Sequence, residues 1–157
     1  MIIITNTTEE FSVAKIQIHP ITLEAAKEVA SNLIPSDYRE VTEGYGYQIK
    51  DIPKNSLTTN SVYFTMPNGK TAGIAGVGEN GHIWMLCTPT IYDYPISFSR
   101  EAKRFVLNRP ERLLWNIVDK RNLTHIKLLR FMGFKFLNEI THGPNNLPFI
   151  EFCKIQC

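Results

Sequence analysis

The chain has 157 residues, 43% of them hydrophobic and 20% charged, with a net charge of +2. That length fits one domain with a substantial core, and that balance excludes a disordered chain. No lysine or arginine cluster forms the basic face that nucleic-acid binding needs, so no nucleic acid is expected as a partner.

The N-terminal MIIITNTTEEF holds too short an apolar run for a signal peptide. No later window approaches the ~20 apolar residues of a membrane span. Residues 1–11 are expected to be a flexible or edge segment at the start of a single domain covering 1–157. Val13 to Ile18 then alternates apolar and polar residues, which predicts a first strand. Thr22 can cap a helix that carries Leu23, Ala26, Ala30 and Leu33 on one face, with Pro35 as its stop. SDYREVTEGYGYQIKDIP predicts a short helix and a loop, and carries the acids Asp37, Glu40 and Glu43.

SVYFTMPNGKTAGIAGVG predicts two strands joined at Pro67–Lys70, where Asn-Gly supplies the positive φ angles of a tight hairpin. A second turn at GENG leads into an apolar strand from Gly81 to Thr88, completing a three-stranded meander. PTIYDYPISF is a loop with two prolines. SREAKRFVLNR predicts a three-turn helix capped by Ser97 or Ser99 and closed before Pro110. RLLWNIVD is a buried strand. NLTHIKLLRFMGF is a helix capped by Asn122 and ended by Gly133, with Ile126, Leu129 and Met132 on its core face. KFLNEI and FIEFCKI, around the loop THGPNNLP, close the chain as two strands. The order predicts an α+β domain with a mixed central sheet of about seven strands flanked by helices.

Cys87, Cys153 and Cys157 are odd in number and lack C-x-x-C spacing. A complete disulfide framework is therefore excluded, and a reducing compartment is the simplest reading. His19, His82 and His142 show no ligand spacing with one another or with the cysteines, so no metal is expected. Cys87 lies in an apolar run and reads as a buried thiol rather than a nucleophile, which would need a cationic neighbour. Asp37 and Glu40, taken by themselves, read as part of a solvated loop or helix end. His125 can serve as a general acid or base given a partner, and otherwise is a polar residue on a first helical turn.

The element order, and above all LLWNIVDKRNLTHIKLLRFMGF, resembles the GNAT fold of the Gcn5-related N-acetyltransferases. GHIWMLCT, FSREAKRFV, VDKRNLTHIKLLRFMGF and HGPNNLPFIEF, in that order, are similar to a GNAT-like family of tailed bacteriophages. Relatives of that family include a protein linked to internal-core assembly in short-tailed phages of the T7 type. The resemblance spans Val13 to Lys154.

The resemblance implies an acyl-CoA site between two splayed strands and transfer of the acyl group to an amine. If that site is retained, its ligands would be Leu86, Cys87, Thr88, Ser97, Ser99, Arg100 and Asn122. Two expected features are missing. PTIYDYPISFSREAKRF contains no glycine to cradle a pyrophosphate, and Leu129 stands seven residues after Asn122, where the family places a tyrosine acid. The residue three after Asn122, small in the family, is His125. These departures favour a phage virion or internal-core assembly protein with a degenerate acyl-CoA site. Its partners would be phage proteins, in the host cytoplasm or the particle. The alternative is an acetyl-CoA-dependent N-acyltransferase acting on an amine of a host protein or a small molecule. Its catalytic candidates would be Glu40, Asp37 and His125.

Overall fold

A computed structural model describes residues 15–156. Residues 1–11 and the predicted strand start at Val13 lie outside the described residues. Among the described residues the first strand, β1, spans Gln17–Pro20. It pairs antiparallel with β2 (Ser61–Thr65).

Between them lies a helical segment longer than predicted. Helix α1 (Leu23–Ser31) is capped by Thr22, whose hydroxyl accepts from the Ala25 N–H at 3.2 Å. Its buried face is Ala25, Ala26, Val29 and Ala30, while Leu23 is exposed. Pro35 does not stop this helix, which has already ended at Ser31. It starts the next one, α2 (Pro35–Arg39), at the first position, where a missing N–H costs nothing. The chain then widens into one π-helical turn, Glu40–Gly44, passes Ile49–Asp51, and enters α3 (Ile52–Ser56).

β2, β3 (Thr71–Val77) and β4 (Ile83–Cys87) form the expected meander, in the order β1-β2-β3-β4. In the first hairpin only Gly69 takes a positive φ, of +80°. Asn68 does not; its side-chain oxygen instead accepts from the Lys70 N–H at 3.0 Å, an Asx-type turn.

Helix α4 (Pro95–Leu107) begins earlier than expected, and no side chain caps it. Ser97 and Ser99 therefore sit inside the helix. Proline at the first position is the reason, because its preset φ fixes the start ahead of either serine. β5 (Leu113–Asp119), α5 (Leu123–Phe131), β6 (Lys135–His142) and β7 (Leu147–Ile155) complete the chain. β6 and β7 run to within four residues of each other, so Thr141, His142, Leu147 and Pro148 are strand rather than loop.

The α+β class stands, but the sheet is not one continuous mixed sheet. Four strands and three strands form two antiparallel sheets, the second in the order β5-β7-β6. Among the described residues one parallel backbone bridge, His82 to Trp115, joins them. From that bridge β4 and β5 run side by side and part. One face of the assembly packs α4 and α5 against Phe64, Ala75, Leu114 and Phe152. The opposite face packs α1 and α3 against Ile74, with Trp84 at its margin.

Gly81 sets the bridge. Its φ is +83°, and a Cβ there would lie 1.8 Å from the Leu113 carbonyl oxygen. Gly69 has a similar φ but open space around it. Gly81→Ala is expected to cost at least about 2 kcal/mol, and Gly69→Ala only about 1 kcal/mol, since both strain the backbone and only one also clashes. Urea midpoints of the two variants measure this.

Candidate functional site

The gap between β4 and β5 is a cavity of about 560 Å³. It is lined from both sides of the sheet. Val41, Tyr45, Tyr47, Gln48 and Ile52 line it on the α1–α3 side; Phe98, Ala102, Phe105, Leu128 and Met132 line it on the α4–α5 side. Ile83–Leu86 and Asn116–Val118 form the two strand walls. Near the bridge, the Asn116 side-chain amide donates to the Ile83 carbonyl at 2.7 Å, and the Trp115 indole N–H donates to the Asn80 carbonyl at 2.8 Å.

At the open end the strands are held by side chains. Asp37 and Glu40 stand three residues apart across the α2–π junction, a spacing that places them on one helical face. Asp37 reaches β4: its Oδ2 accepts from the Cys87 N–H at 2.8 Å. Glu40 reaches β5: its Oε1 accepts from the Asp119 N–H at 2.6 Å. Asp37 is fully buried and also accepts from the Asn122 side-chain amide at 2.8 Å. His125 Nε2 lies 3.0 Å from Asp37 Oδ1. The solvated reading of these acids is therefore overturned for Asp37, and the missing partner of His125 is found.

The electrostatics follow from this enclosure. Burial alone would lower the His125 pKa, but the Asp37 carboxylate outweighs it and holds the imidazole well above its usual value. Burial pushes the Glu40 carboxyl up to about 7, although the His125 charge and the Asp119 N–H pull the other way. Burial likewise raises the Cys87 thiol and the Tyr45 phenol. Asp119 is held below the usual carboxylate range because hydrogen bonds from Arg121 outweigh its burial. Arg121 is exposed enough to reach Glu43 as well, at 3.4 Å.

Cys87 is fully buried, as its sequence context indicated. It joins Asp37 and His125 in a group whose ligand-type atoms lie within 4.8 Å of one another. No sequence spacing announced that group. The Asp37 oxygens already accept from Cys87 N–H and Asn122, and no buried side-chain polar atom among the described residues lacks a partner. The group is thus complete as a hydrogen-bonded network.

Of the residues expected at an acyl-CoA site, several are committed elsewhere. The Asn122 side-chain oxygen accepts from the His125 N–H and its amide donates to Asp37, so it caps α5 and braces the network. Thr88 gives its N–H to Ala72 and its hydroxyl to Thr71. The Cys87 N–H is taken by Asp37, and Ser99 donates to the Pro95 carbonyl. Leu86 lines the cavity, and Ser97 and Arg100 remain exposed.

Arg100 lies on a second concavity, of about 490 Å³, between the start of α4 and α5. Tyr92, Ile96 and Phe131 give it an apolar floor, and Lys127 adds a second cation. Lys103 sits 5.1 Å above the Phe131 ring. The sequence reading missed this groove because its cations are spread over two helices. It also missed Tyr45 and Tyr47, whose alternation with Gly44 and Gly46 was the available signal.

No protein-family model matches the sequence, and no curated protein matches it. Solved structures do match in fold. A GNAT-family acetyltransferase from Bacillus anthracis superposes with a TM-score of 0.67 at 10% identity, over 90% of this chain and 95% of that one. Spermidine N-acetyltransferase from Vibrio cholerae, in complex with CoA and spermine, gives 0.65 at 8% identity, over 90% and 96%. The aminoglycoside acetyltransferase AAC(6')-Ib, in complex with coenzyme A, gives 0.62 at 15% identity, over 90% and 95%. The chain has the GNAT fold. No helix among the described residues is long and apolar enough to cross a membrane.

Proposed function

We propose that this protein is an acyl-CoA-dependent N-acyltransferase. The observation that carries the reading is the cavity between β4 and β5, lined from both faces of the sheet, with the Glu40 carboxyl on its wall. A scaffold kept only for assembly has no need of such a gap, whose creation forfeits packing between two strands. The assembly reading rests on sequence resemblance to a phage family, and no feature of the fold or the cavity adds to it.

In this reading the thioester enters from the α4–α5 side and the amine from the α1–α3 side. An aliphatic amine is mostly protonated at neutral pH, near pKa ~10.4 for a lysine-like group. Glu40, poised at about 7, takes one proton and frees the lone pair. Nitrogen then bonds to the thioester carbonyl carbon and the carbon–sulfur bond breaks. The second proton lost by nitrogen balances the departing thiolate. Exclusion of water by the apolar walls protects the thioester from hydrolysis. His125 and Asp37 hold the α5 start against α2, which fixes the position of Glu40.

The β4–α4 connection has no glycine, so the phosphates of the donor would be met by cations instead. Arg100 and Lys127 on the second groove, with Lys103 close by, are suited to that task. Calorimetric titration of acetyl-CoA tests the reading. Binding is expected, and Arg100→Glu is expected to weaken it by about 1–3 kcal/mol, the scale of a lost charge-assisted hydrogen bond. No heat at millimolar acetyl-CoA would remove the proposal and return the assembly reading to first place.

A further inference from the structure

The acceptor-side half of the cavity carries an excess of negative charge, because the one raised imidazole on its wall, His125, is already paired with Asp37 at 3.0 Å. Two carboxylates line it, Glu40 within and Asp51 beside α3, and no lysine or arginine lines any part of the cavity. Asp51 is exposed and makes no capping bond to α3. No ion pair holds it among the described residues. Lys50 and Lys54 flank it in sequence, but neither lines the cavity. The cavity's third carboxylate, Glu101 on the opposite side, is paired with Arg104 at 2.6 Å.

The rest of this half is apolar or aromatic. Tyr45 and Tyr47 stack at 5.3 Å, and Tyr47 is largely exposed. An aromatic face attracts a cation through its quadrupole. Val41 and Ile52 give a surface suited to methylene groups. An acceptor bearing a carboxylate would find only the His125 charge, already matched by Asp37, and would face the Glu40 and Asp51 carboxyls.

We propose that the acceptor is a dicationic amine, with two amino groups separated by an apolar segment. One amino group lies at Glu40; the other is anchored at Asp51 against Tyr47. The choice of Glu40 as the reacting end rests on the acyltransferase reading, but the dication site does not.

The test is equilibrium binding to the full chain, without a donor. The probes are α,ω-diaminoalkanes of three to eight carbons, n-alkylamines of matched length, and ω-amino acids of matched length. The best diamine is expected to bind roughly tenfold more tightly than its matched monoamine, and Asp51→Asn to erase the difference. Equal binding of diamine and monoamine, or a preference unchanged in Asp51→Asn, would overturn the proposal, as would tightest binding of the amino acid. Adding acetyl-CoA then separates the two readings. Diamine binding without acylation would sink the acyltransferase and leave the dication site standing. Acylation of monoamines with equal kcat/KM would do the reverse.

Discussion

Glu40→Gln is expected to lower kcat for acyl transfer by roughly 10²–10⁴-fold, the usual share of a general base. The change should leave the fold intact. The glutamine carbonyl can still accept from the Asp119 N–H, the bond that ties the π-helical turn to β5. The unaltered protein should show kcat/KM rising with pH through an apparent pKa near 7, where Glu40 ionises. The variant should lack that limb. Stability supplies an independent readout. Glu40 has its pKa raised on folding from 4.5 to about 7, so the fold prefers its protonated form. Its contribution is complete below pH 4.5 and is lost as pH rises through 7, a swing of about 3 kcal/mol. Glu40→Gln should therefore be the more stable protein above pH 7 while being the less active one. A variant with unchanged kcat would show that the base lies elsewhere.

The second large effect is on stability. Asp37→Ala is expected to cost about 3–5 kcal/mol, as when one partner of a buried pair is removed. The loss strands three groups at once: the His125 ring, the Cys87 N–H and the Asn122 amide. Its pH dependence is diagnostic. In the unaltered protein the His125 pKa is raised, so that stability is present below about 6.5 and is lost as pH rises through the folded value. Without Asp37, burial, the largest influence, lowers the imidazole pKa against only the weaker pull of Cys87 and the Glu40 carboxyl. The His125 contribution should then reverse, with stability falling as pH drops below 6.5. Urea unfolding of both proteins from pH 5 to 8 would show the reversal. A variant whose pH dependence parallels that of the unaltered chain would place the charge of His125 under some other control.

Much of the frame could be read locally. Thr22 and Asn122 cap the helices expected of them, Gly133 takes a φ of +92°, and Phe134 packs edge-on to Phe152 at 5.3 Å. Each depends on a few neighbouring residues, and short-range sequence carries that information. The start of α4 was misplaced because two serines advertised a cap while Pro95 had already fixed the φ angle. The chemistry was less legible. Asp37 and His125 are 88 residues apart, and Glu40 and Asp119 are 79 apart. The helical spacing of Asp37 and Glu40 was visible, but nothing local shows that both turn inward. That outcome depends on β4 and β5 parting, a property of the assembled sheets.

The division into two sheets also shapes how the molecule assembles. Strands β1–β4 draw only on residues 17–87, and β5–β7 only on residues 113–155. Each set can close from its own stretch of chain, with modest loop-closure entropy. The ties that join the two sets at the open end span 79 to 88 residues, and they come late in that entropic order. The layer that would carry catalysis is therefore the seam between two sheets that each draw on a separate stretch of chain. Partial opening along it breaks few backbone hydrogen bonds and should cost less than unfolding either half. Amide exchange would then find the Cys87 and Asp119 N–H groups, both held by side chains, less protected than the ladder amides beside them.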